Sequence, residues 1–162
     1  MYKIDKLIKQ ESEASVKPVC LENLQDILSF QDIKYVSIFE QFLKIGDKGY
    51  YAYIKDKCVH RSWAKFNEQI VYPHWTAPLQ LKKEELYIHY CETASEVRGK
   101  NIYPHVLSTI IENNSNKIIL ISVNKKNISS IKGIEKVGFC KKAEINIQII
   151  LGFKLKRFKI IK

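Results

Sequence analysis

The sequence predicts an α+β fold: a mixed, mostly antiparallel sheet with a central parallel strand pair and helices packed on it. Three observations carry this. Strand-like patterns over 85–93 and 118–123 flank a helical pattern over 103–113, and a crossover helix of that length is what a parallel pair requires. Residues 50–66 read as two strands around the turn Lys55–Asp56–Lys57, which makes an antiparallel pair. The tail, 143–161, alternates and is rich in Ile and Phe, as two further strands would be.

Along the chain, residues 1–15 are polar and read as a loose strand or tail. In 20–31, Leu21, Leu24, Ile27 and Leu28 recur at helical spacing after Pro18, which predicts a helix. The stretch 35–45 mixes periods and fits a second helix or a strand; Gly46 and Gly49 bracket a turn. Pro73 and Pro78 punctuate 67–81, which reads as a loop rich in aromatic residues. In 103–113, Val106, Leu107, Ile110 and Ile111 form one stripe, with Pro104 near the first turn, where a missing N–H costs nothing. Residues 118–123 are almost continuously apolar, as in a strand covered on both faces. Asn127 opens a short helix that runs through Val137 and stops at Gly138.

The 162 residues amount to a single domain, 1–162, long enough to bury a core without disulfide or metal staples. Hydrophobic residues make up 46% and charged residues 27%, as in a soluble globular protein, and no apolar run approaches the roughly 18 residues of a membrane span. The first fifteen residues carry charge throughout and lack an apolar centre, so no export signal is expected and a cytoplasmic location is. Cys20, Cys58, Cys91 and Cys140 form no CxxC pair and have no histidine at metal-finger spacing; reduced thiols and no metal site are expected. Lys and Arg number 27 against 17 Asp and Glu, a net charge of +10 that attracts anions. The basic residues are scattered rather than gathered in one arm, which argues against nucleic acid and leaves a generally basic surface or a small phosphorylated ligand.

The densest chemical signal is ETASEVRGKNIYPHVL, residues 92–107: a strand end, a basic turn and a helix start. Amides of a first helical turn have no partners inside the helix, and with the helix dipole they form an anion site. Arg98 and Lys100 add positive charge there, so a phosphate or pyrophosphate is expected at this point.

Together with SVNKKNISSIKGIEKVGF, 122–139, this cluster resembles the GNAT superfamily of N-acetyltransferases. The family's Arg/Gln-x-x-Gly-x-Gly/Ala turn corresponds to Arg98 through Tyr103, and its second signature to Asn127, Ser130 and Ile134 to Phe139. Asn101 and Tyr103 depart from the glycine-like positions; Asn101 tolerates left-handed backbone. Ile134 stands where many members place a tyrosine that protonates the leaving thiolate. The resemblance covers about 85–142 and implies helices on both faces of the sheet, with acetyl-CoA as co-substrate.

It further implies that Val97, Arg98, Gly99, Lys100, Asn101, Ile102 and Tyr103 hold the pyrophosphate, that Thr93 and Ala94 flank the pantetheine arm, and that Asn127 faces the cofactor. The implied reaction is attack of a neutral amine on the thioester. An ammonium must first lose a proton, and His60, His89 and Glu92 are the candidate bases. On a regular strand His89 and Cys91 share one face and Glu92 takes the other. Tyr103 is expected at the pyrophosphate end of the arm, too far from the sulfur to serve as the acid. Arg61, Trp63 and Trp75 suggest an acceptor pocket for an amino sugar or a nucleotide-linked amino sugar, since aromatic faces suit rings and Arg suits phosphate. A peptide or protein-lysine acceptor, and an acyl-CoA-binding sensor without turnover, are the alternatives. A homodimer is left open.

Overall fold

The computed structural model describes residues 1–66, 68–150 and 153–161. In chain order the elements are β1 (Tyr2–Ile4), β2 (Ser15–Pro18), a short 3-10 helix (Leu24–Ser29), α1 (Lys34–Lys44), β3 (Lys48–Ile54), β4 (Lys57–Lys65), β5 (Ile70–His74), β6 (Ala77–Gln80), β7 (Glu85–Thr93), α2 (Ile102–Glu112), β8 (Ile118–Ile121), α3 (Ile128–Lys136), β9 (Phe139–Lys141), β10 (Ala143–Ile150) and β11 (Phe153–Ile160).

Among the described residues the main sheet runs β2-β3-β4-β7-β8-β1-β9. Its one parallel pair is β7 with β8, in register from Glu85 opposite Ile118 to Ile88 opposite Ile121. α2 makes the crossover between them. Past Ile88 and Ile121 the two strands no longer pair, and β7 continues to Thr93 bonded only to β4, which leaves a fork in the sheet.

Helices cover both faces. Val106, Leu107 and Ile110 of α2 and Ile134 of α3 bury against Leu86, Ile88, Ile119 and Ile121. On the other face Ile27 and Phe39 bury against Tyr51 and Trp63. Each such side chain contributes about 1.5–3 kcal/mol of burial, so the pairing of helix stripe to sheet face fixes the layering.

The long patterned segments form where the sequence places them; the short ones differ. Residues 1–15 are not a tail: β1 lies inside the sheet between β8 and β9. Three residues are too short for a period to register. The helix expected over 20–31 is a single 3-10 stretch, with Leu24 and Ile27 buried and Leu21 and Leu28 turned out. Three residues per turn cannot keep all four leucine and isoleucine positions on one side. The ambiguous 35–45 is helix α1. The aromatic loop of 67–81 begins at Asn67, outside the described residues, and contains the β5–β6 hairpin. Pro73 sits at the break in that ladder between Val71 and His74, where no N–H is needed. The two tail strands pair with each other, and residues 151–152 between them lie outside the described residues.

Gly138 ends α3 with φ +102, and a Cβ there would collide with the carbonyl oxygen of Lys6. Gly138→Ala is therefore expected to cost more than about 2 kcal/mol. Thermal unfolding should show a fall of roughly 5–10 °C; a change under about 2 °C would contradict this packing.

Candidate active site

A cleft of about 550 Å³ opens beside the fork, between β7, the start of α2 and the start of α3. Gly99, at φ +85, and Asn101, at φ +61, turn the chain from β7 into α2. Asn101 does adopt the left-handed conformation that glycine would supply. Its side chain fixes the turn from outside: Nδ2 donates to the Glu11 carbonyl at 2.7 Å, and Oδ1 accepts from Lys136 Nζ at 2.8 Å. Among the described residues the amides of Gly99 to Tyr103 donate to no protein acceptor. Arg98 lies at the mouth, its Nη2 2.7 Å from Glu92 Oε1 and its Nε donating to the Thr93 carbonyl at 3.1 Å. Asn127 caps α3, Oδ1 accepting from the Ser130 amide at 3.1 Å, and also lines the cleft.

Thus Thr93, Val97, Arg98, Gly99, Asn101, Ile102, Tyr103 and Asn127 come together around one cavity. Ala94 and Lys100 do not. Ala94 is buried and its amide donates to the Val59 carbonyl at 2.9 Å. Lys100 turns outward to Glu13, 3.0 Å away.

Deeper in, His60 is fully buried. Nδ1 is hydrogen-bonded to Thr93 Oγ1 at 2.7 Å and Nε2 to Ser62 Oγ at 2.8 Å. Burial first, and then the Arg61 charge, lower its pKa to about 3. Both ring nitrogens are occupied and the ring stays neutral, so His60 is no base for an ammonium. Tyr103 stacks on it, with centroids 5.8 Å apart, and lies over Gly133, where a Cβ would come within 3.1 Å of the ring. The Tyr103 ring lines the cleft beside Cys91, and burial holds its hydroxyl well above the usual range. Burial also raises the Cys91 thiol to about 11, so it is not a nucleophile near neutral pH.

On the opposite face of the sheet β7 carries an irregularity. Tyr90 has φ +52, and the ladder to β4 shifts between Arg61 opposite Glu92 and Trp63 opposite His89. The extra residue reverses the alternation. Cys91 packs with Leu86 and Ile88, whereas His89 stands with Tyr87 on the other side. His89 and Cys91 do not share a face. Arg61 holds this bulge: Nη1 donates to the Tyr90 carbonyl at 2.5 Å, Nη2 to Gln31 Oε1 at 3.2 Å, and the guanidinium lies 4.7–5.3 Å from the ring centroids of Tyr35, Phe39 and Tyr90. With 5% exposure it is not placed to bind substrate. Neither is Trp63, 0% exposed, its ring 5.0 Å from that of Phe39. Trp75 is exposed at the tip of the β5–β6 hairpin.

His89 lines a second pocket of about 410 Å³ with Phe42, Lys65, Tyr72, Tyr87 and Tyr90. Behind it the buried Asp47 brings Oδ2 to 3.0 Å from Lys65 Nζ and 3.4 Å from His89 Nε2. Burial lowers the pKa of His89, and Asp47 partly restores it. Sequence reading missed Asp47 and Lys65: GDKG reads as an ordinary turn, and nothing local ties it to His89. Glu92 is instead the ion-pair partner of Arg98 in the first cleft.

No family model matches the chain, and no curated relative matches it. Its fold does match solved structures. A GNAT-family acetyltransferase from Colwellia psychrerythraea is 16% identical with a TM-score of 0.66, over 86% of this chain and 50% of that one. An aminoglycoside 6'-N-acetyltransferase from Acinetobacter baumannii is 13% identical with a TM-score of 0.57, over 79% and 91%. A predicted acetyltransferase from Clostridium acetobutylicum, solved with acetyl-CoA, is 14% identical with a TM-score of 0.54, over 79% and 90%. The chain thus spans half the length of the Colwellia protein and about nine tenths of the other two. An α+β sheet forked at its one parallel pair, with a helix starting at the fork, is the class of structure at hand. That fold is the one of the GNAT N-acetyltransferases.

A buried neutral histidine makes a pH prediction. Below pH 6.5 the unfolded chain protonates His60 while the folded chain does not until about pH 3. Stability therefore falls as pH drops through that window, by up to about 1.4 kcal/mol per pH unit from this residue. His60→Gln should flatten the slope in urea titrations between about pH 6 and pH 4. An unaltered slope would mean that His60 is not held neutral.

Proposed function

We propose that the chain is an N-acetyltransferase that uses acetyl-CoA to acetylate a primary amine of a small molecule. The observation that carries this is the row of unbonded amides from Gly99 to Tyr103 at the start of α2, opening into a cleft beside the fork. The residues fit the co-substrate. Amides at a helix start receive a pyrophosphate, Arg98 adds a cation, and the β7 edge beyond Ile88 offers backbone groups to the amides of a pantetheine arm. Acetyl-CoA supplies an activated acetyl thioester. A dependence on that compound fits a cytoplasmic setting; among the described residues no helix is long and apolar enough to cross a membrane.

Of the candidate bases, His89 fits best. Its imidazole is kept neutral by burial, it faces a pocket, and it sits beside Tyr90, while the next residue, Cys91, lines the acetyl-CoA cleft. It removes a proton from the bound ammonium, so that the nitrogen lone pair is free to attack. The alternative, an acyl-CoA-binding sensor, draws on Ile134, buried in the core with no hydroxyl to offer, and on the Tyr103 ring across the inner cleft. Thiol release with a panel of amines separates the two readings.

Arg98→Glu places a second carboxylate beside Glu92 and should weaken CoA binding at least tenfold, about 1.4 kcal/mol, by calorimetry; equal affinity would overturn the cofactor site. His89→Gln should lower kcat/KM by about 10²–10⁴ with CoA affinity unchanged. His60→Gln should cost far less, and the reverse ranking would reassign the base.

A further inference from the structure

The second pocket sharpens the acceptor chemistry of the proposed acetyltransferase, and the inference rests on that reading of the function. The amino-sugar expectation drew on Arg61, Trp63 and Trp75. The first two are buried, with no face open to a ligand. The pocket that does open at the bulge has different chemistry. Phe42, Tyr72, Tyr87 and Tyr90 supply rings, and Ile70 and Val71 supply apolar surface. Its described walls carry no carboxylate. Asp47 lies wholly behind them, and its charge is already met by Lys65. A polyamine sugar needs several acidic or amide acceptors around it, because each desolvated ammonium or hydroxyl left unpaired is costly. A single amine on an aromatic body needs only one acceptor and a ring-lined wall.

We propose that this pocket binds an arylalkyl monoamine, with its nitrogen at His89 and its ring among Phe42, Tyr72 and Tyr87, and that Asp47 is a positioning residue that holds His89 Nε2 so that the rest of the imidazole faces the amine. The accessible part of His89, 12% of its side chain, opens to this pocket. The groups facing His89 are Asp47 from the turn after α1, Lys65 and Arg61 from β4, and Tyr87 and Tyr90 on its own strand. Asp47 raises its basicity; Lys65 and Arg61 lower it. The step balances as R–NH3⁺ plus acetyl-S-CoA giving R–NH–acetyl, CoA-SH and one proton. The ammonium proton passes to His89 and then to solvent, the C–N bond forms as the C–S bond breaks, and the second nitrogen proton ends on the thiolate.

The test compares 2-phenylethylamine, tryptamine, glucosamine and kanamycin as acceptors of the full chain, with binding of acetyl-CoA and of each amine measured separately by calorimetry. The aromatic monoamines should show kcat/KM at least tenfold above the two sugars. Tyr72→Ala, a change at an exposed residue, should raise KM for the aromatic amines several-fold and leave acetyl-CoA binding alone. Asp47→Asn should lower kcat more than it raises KM and move the rising limb of the pH profile to lower pH, since a charge that favours the imidazolium is gone. Equal or better turnover of glucosamine or kanamycin would overturn the acceptor class, and an Asp47→Asn profile that keeps its pH position would overturn the positioning role. If acetyl-CoA does not bind, the acetyltransferase reading fails by itself. The pocket is then judged on amine binding: selective binding of aromatic amines that Tyr72→Ala weakens upholds it, and its absence overturns it.

Discussion

The hydrogen bond from Arg61 to the carbonyl of Tyr90, 2.5 Å long, holds the extra residue in β7, and that residue divides the cleft at α2 from the pocket at His89. A non-glycine residue at φ +52 is strained and persists only when its surroundings over-determine it. Arg61 does this with a charge that has no ion-pair partner among the described residues. Its desolvation is offset by oxygen acceptors on Tyr90 and Gln31 and by the faces of Tyr35, Phe39 and Tyr90. Cation–π contacts contribute about 0.5–1 kcal/mol at exposed sites and about 2 kcal/mol when desolvated. An arginine that composition alone would assign to ligand binding is thus the clamp on the strand that shapes the site.

The bulge has a simple geometric consequence. Before it, Tyr87 and His89 point to the α1 side and Leu86 and Ile88 to the α2 side. After it, Cys91 and Thr93 take the α2 side. The strand therefore gives His89 to one cavity and Cys91 to the other, with Tyr90 between them. The fork between β7 and β8 begins at Ile88, just before this point, so the sheet opens where its side chains change sides. A cleft on one face and a pocket on the other can then meet across a single strand.

Charge around the first cleft follows a similar logic of restraint. Lys100 is tied to Glu13, Lys136 to Asn101 and Arg98 to Glu92. These contacts are exposed and individually weak. They keep the turn in place, while the amides at the start of α2 are left free. The net charge of +10 is not concentrated at the site, and most of it belongs to the general surface.

The strand–helix–strand of 85–121, the Asn127 cap and the left-handed Asn101 were legible in the sequence because each depends on neighbours within a turn or two. Helical stripes, cap side chains and apolar runs are local signals, and the fold class follows from their order. β1 and the β5–β6 hairpin were not legible, since such short strands exist only because the sheet or each other completes them. The turn of 98–103 could be read from its own residues; the surroundings of His89 could not. Counting by twos along β7 puts His89 and Cys91 together, and nothing in the letters marks Tyr90 as an extra residue. That residue is held by Arg61, 29 residues away, and Asp47 meets His89 only when the end of α1 closes over the sheet. Local sequence determined the long helices and strands; only tertiary packing completed the short strands and decided which face each functional side chain takes, because a strand's alternation survives until a distant residue stabilises a break in it.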